Sequence, residues 1–158
     1  MPEPKALLPS PALPVAWLAG AHVAFAAACA VLVFDPAMPG GFHYHARLIA
    51  VVHLVTLGWI TGSILGALYV VAPLAFGVPL RAGVADIAGA LAFWAGAGSM
   101  VCGFWTGRYG LVAGGAPLVL GAVAIVGTRV VAGVWRGRLA WGVSLHVTLA
   151  FANVLAAG

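Results

Sequence analysis

The sequence predicts an all-α integral membrane helix bundle of about five transmembrane helices, and three observations carry that expectation. Of 158 residues, 64% are hydrophobic and only 6% are charged, with a mean hydropathy of +1.13. A soluble domain carries roughly 25% charged residues, so this chain lacks the polar side chains to cover a water-facing surface. The bilayer must be its solvent. The apolar residues also gather into long runs, at 14–34, 46–73, 83–105, 111–134 and 139–157, each near the ~20 residues that cross a hydrocarbon layer. Finally, the breaks between the runs are short and leave no room for a soluble domain, so residues 1–158 read as one transmembrane domain.

The lead MPEPKALLPSPALP is too rich in proline to be helical. AACA, in the first run, resembles a small-residue cleavage site, but the run spans about 20 residues where a signal peptide uses about 7–15. It is read as a retained span. FDPAMPGGFHYH and FGVPLRAG break the chain with prolines and glycines, WTGRYG is a tight turn, and WRGRLAW is a basic one. Pro117 should kink the fourth span. Arg81 and Asp86 bracket the start of the third and are expected to pair, while Arg108 and Tyr109 anchor its far end. Several of the six tryptophans fall near span boundaries, as in an aromatic belt.

The basic residues orient the chain. Lys5, Arg81, Arg129, Arg136 and Arg138 are counted to one side, Arg47 and Arg108 to the other. The positive-inside rule then puts the N-terminus in the cytoplasm. Charges at segment ends serve topology rather than nucleic-acid binding, which needs a clustered basic face. Cys29 and Cys102 sit in separate apolar runs and form no metal-ligand pair. No Ser/His/Asp set and no phosphate-binding glycine loop supports hydrolytic or nucleotide chemistry.

The second span carries the chemistry. On a 100° helical wheel, Gly58, Gly62 and Gly66 of GWITGSILG form one stripe, an extended GxxxG that admits a neighbouring backbone. His53 falls about 180° from Gly62 on that wheel, on a face otherwise apolar. Neutral imidazole is a common haem ligand and a porphyrin needs an apolar wall; the bland alternative is an interhelical hydrogen bond. Counting about 1.5 Å per residue from residue 46 places His53 roughly 10 Å below the outer boundary. His22 and His146 lie at a common depth from the other side, so a bis-histidine pair or a polar seam with Asn153 is open to them. His43 and His45 form an HxH in a loop, too few ligands for a closed metal site.

The run HLVTLGWITGSILGALYVVAPL resembles the second helix of haem–copper oxidase subunit I and its shorter oxidase-like bacterial relatives. HYHARLIAVVHLVTLGW and SLHVTLAFANVLAAG resemble those relatives too. In that family a histidine near the outer end of the helix is an axial ligand of the low-spin haem, and the matching position here is His53. The resemblance implies a haem-binding, oxidoreductase-related electron-transfer module in a bacterial cytoplasmic membrane. It covers only part of a fold of about twelve spans, so the chain is expected to be its N-terminal portion or a truncated relative. The copper-binding histidines have no counterpart here, so no copper site and no oxygen-reducing centre is expected within this chain. The second axial group must come from further helices or another subunit. The rival expectation is a non-catalytic scaffold or assembly protein that keeps the helix framework without cofactor.

Overall fold

The computed structural model describes residues 10–42, 45–77, 80, 82–137 and 139–157. These form helices α1 (Ala12–Phe34), α2 (Ala46–Phe76), α3 (Val84–Thr106), α4 (Tyr109–Arg136) and α5 (Trp141–Ala157), with no strand among the described residues. Four of them are long and apolar enough to cross a membrane, so this is a multi-pass membrane protein whose outer faces meet lipid. The fifth has 17 residues, the lower end of what spans the core.

Helix ends follow local chemistry. Pro14 sits in the first turn of α1, where its missing N–H has no intrahelical partner to lose, so the helix begins two residues before the apolar run suggested. α2 runs through Pro73 and stops at Gly77, whose φ of 63° is left-handed. α3 stops in the same way at Gly107, φ 71°, with the Arg108 N–H closing back on the Gly103 carbonyl at 2.8 Å. α4 starts two residues later, which folds α3 and α4 into a tight antiparallel pair. Their contact is a backbone one: a Cβ on Gly96 would lie 2.6 Å from the Gly115 carbonyl oxygen. α4 passes through Pro117 as one continuous helix.

The glycine stripe of α2 is buried as expected. A Cβ would lie 2.5 Å from the Ala24 methyl at Gly58, 2.8 Å from the Trp94 ring at Gly62 and 2.7 Å from Trp17 Cβ at Gly66. α1 therefore seats directly on the α2 backbone, a close approach that substitutes for a hydrophobic drive lipid cannot supply. Two tryptophans depart from the belt expectation. Trp17 is fully buried against Phe93, ring centroids 4.9 Å apart, and Trp94 packs edge-on to Phe93. Trp17 is a core residue where α1 meets α3, and Trp94 is half-buried against it. α5 packs mainly on α4, Phe151 lying over Gly127 and Trp135 Nε1 donating to Thr148 Oγ1 at 3.0 Å.

The second helix is not uniformly wound. Between His53 and Gly62 it opens into a π-helix, Leu54–Thr61, in which the Gly62 N–H reaches the Leu57 carbonyl. Bonds over five residues rather than four widen the coil, and such stretches are rare and concentrate at functional sites.

Candidate functional site

His53 stands where the α-helical part of α2 gives way to the π stretch. Its Nδ1–H donates to the Ile49 carbonyl at 2.8 Å. A carbonyl only accepts, so Nδ1 carries the proton and the neutral ring keeps its lone pair on Nε2. The ring packs on Phe104 of α3 with centroids 4.7 Å apart. Thr56, the polar neighbour its face offers, instead donates to its own helix at Val52.

His53 lines a groove of about 400 Å³ between α1, α2 and α3. Small residues pave it: Gly20, Ala24 and Ala27 from α1, Gly58 from α2, Ala97 and Gly98 from α3. Trp94 and His53 alone among the lining side chains carry a polar atom. This corrects one expectation. On a regular helix, residues 53 and 58 point about 140° apart; here both face one groove, because the wider winding brings residues five apart towards a common face. Arg47 stacks over the Trp105 ring at 5.3 Å, tying the start of α2 to the end of α3 beside this site.

The other histidines stay apart. His22 and His146 are both exposed, and each closes Nδ1 onto its own helix, at Leu18 (2.7 Å) and Gly142 (2.6 Å). α1 packs on α2 and α3 while α5 packs on α4, so those two histidines share no packed interface. His45 is exposed at the N-cap of α2, and the rest of the HxH lies outside the described residues. Among the described residues no three His, Cys, Asp or Glu side chains cluster as a metal site.

Comparison with family models, curated proteins and solved structures found no match.

A second polar cluster lies at the opposite end of the bundle. Asp86, 1% exposed, accepts from the Tyr69 hydroxyl at 2.9 Å, from the Gly83 N–H at 2.7 Å and from Arg129 at 2.6 Å. The carboxylate caps its own helix, since it is the N3 residue of α3. Through Tyr69 and Arg129 it also joins α2 and α4. Arg81, the cation expected beside it, lies outside the described residues. Counting Arg129 among the topology-setting charges at segment ends missed this: it lies within α4, seven residues from the end of that helix. The legible signal was a charged residue inside an apolar run, which needs a partner by the cost of burying it. No local pattern names Asp86, 43 positions earlier, as that partner.

Proposed function

We propose that this chain is a haem-binding membrane electron-transfer module in which His53 supplies one axial ligand. The observation that carries the reading is the fixed tautomer: an imidazole whose Nδ1–H is committed to Ile49 keeps Nε2 as a donor to a metal, on a side chain that lines an apolar groove. A backbone carbonyl holding the distal ring nitrogen is the usual second partner of a ligating histidine, fixing its orientation. The small-residue pavement lets a flat ring system approach the backbones of three helices, and the apolar lining keeps water from the site. A groove of this size lies within the range of cofactor sites. Bound haem supplies one-electron transfer, tuned by its axial ligands and by the polarity around it. His53 would contribute a single ligand, and any other would have to come from a further helix or another subunit. The likeness of residues 53–74 to the second helix of haem–copper oxidase subunit I supports the same assignment.

The orientation belongs to this reading. With the N-terminus cytoplasmic, in a bacterial inner membrane, His53 lies near the outer surface and the Asp86 cluster near the inner one.

Purifying the chain in detergent with haem supplied, and recording reduced-minus-oxidised spectra, tests the proposal. Wild type is expected to give a haem band that His53→Ala loses. A band unchanged by the substitution removes His53 from the site. The rival scaffold reading is favoured by the close approach of α1 and α2 and of α3 and α4 at their glycines, and predicts no band in either protein.

A further inference from the structure

The π stretch of α2 has a side-chain brace that an α-helix has no use for. Thr61 Oγ1 donates to the carbonyl of Thr56, five residues back, at 2.8 Å. A threonine in an ordinary helix returns its hydroxyl to the carbonyl three or four residues back, as Thr106 does to Cys102, Thr128 to Ala124 and Thr148 to Ser144. Thr61 differs, and it closes the end of the π stretch, directly before Gly62. The span it braces lies between His53 and Gly62, with Gly58 inside it.

We propose that Thr61 is the positioning residue for His53: its hydroxyl holds the π winding, and the π winding turns the imidazole into the α1–α2–α3 groove. Gly62 and Gly66, beyond the π stretch, are held against Trp94 of α3 and Trp17 of α1, because a Cβ would lie 2.8 Å and 2.7 Å from them. With that side held, the winding between residues 54 and 61 sets which way the preceding turn points. Returning the stretch to α-helix removes about one residue of slack per turn, on the order of 100° of rotation. Such a rotation carries His53 off the groove and off Phe104. The geometry does not depend on any cofactor; only its use as a ligand-orienting device rests on the reading of His53 given above.

Magic-angle-spinning NMR of the isotope-labelled chain in lipid, without cofactor, tests this. In wild type, the Thr61 hydroxyl is expected to contact the Thr56 carbonyl, and the His53 ring to contact Phe104. Absence of the hydroxyl contact in wild type overturns the proposal without any variant. Thr61→Val, which keeps the shape and removes the donor, is expected to lose the His53 contacts to Phe104. Thr61→Ser, which keeps the donor, is expected to retain them. Contacts that survive in both variants, or vanish in both, overturn the role of the hydroxyl. Haem spectra of the same three proteins then separate the two ideas. Contacts that respond to Thr61 with no haem band in any of the proteins uphold the brace and sink the haem assignment. A band lost in His53→Ala but unaltered in position and intensity by Thr61→Val upholds the ligand and sinks the brace.

Discussion

Asp86 and Arg129 illustrate how expensive residues are housed in an apolar chain. A lone buried carboxylate is unfavourable in hydrocarbon, and its three acceptor contacts offset that cost. Removing one partner of such a pair costs ~3–5 kcal/mol when both are buried. The Arg129 side chain is 39% exposed, so Arg129→Met belongs at the lower end of that range. Asp86→Asn still accepts from Tyr69 and cannot neutralise Arg129, and is expected to destabilise by a similar amount. The double substitution is expected to cost clearly less than the sum, because no unpaired charge remains. Equilibrium unfolding in mixed micelles reads the cycle, and strict additivity would show that the pair is not coupled.

At the scale of elements, helix pairs here are joined through missing side chains. Gly58→Ala places a methyl 2.5 Å from the Ala24 methyl, which is rooted on the α1 backbone and cannot swing aside. Overpacking of this kind costs ~1–3 kcal/mol, and α1 must lift from α2 to relieve it. Gly121 is the contrast, since a Cβ there meets nothing within 4 Å on the exposed side of α4. Gly121→Ala is expected to gain up to ~1 kcal/mol from helix propensity alone. Thermal unfolding of the two variants should therefore shift in opposite directions. Equal shifts would mean that the close approach of α1 to α2 has no energetic weight.

For the whole molecule, the testable property is how it sits in the bilayer. With Cys29 and Cys102 replaced by serine, Pro39→Cys in the α1–α2 connection is expected to label from the outer side. Gly137→Cys, after α4, should label only once the cytoplasmic side is opened to reagent. The reverse pattern would invert the proposed topology and place the His53 groove near the inner surface. Both ends of the bundle are built to be distinguishable. An aromatic–cationic contact of Arg47 with Trp105 marks one, and the ion pair of the buried Asp86 with Arg129 marks the other.

Composition and run length were enough to determine the membrane environment, the all-α class and the approximate positions of the helices, because hydrocarbon demands that each segment satisfy its own backbone within itself. The GxxxG stripe likewise announced a close neighbour, since only missing side chains permit it. His53 was legible as a polar group on an apolar run. What it faces was not, because a helical wheel assumes one winding throughout and the eight π residues of α2 break that assumption. The burial of Trp17 and Trp94 and the pairing of Arg129 with Asp86 were equally beyond the sequence read locally. Those partners lie on different helices, and only the packing of α1, α2, α3 and α4 against one another brings them within contact distance.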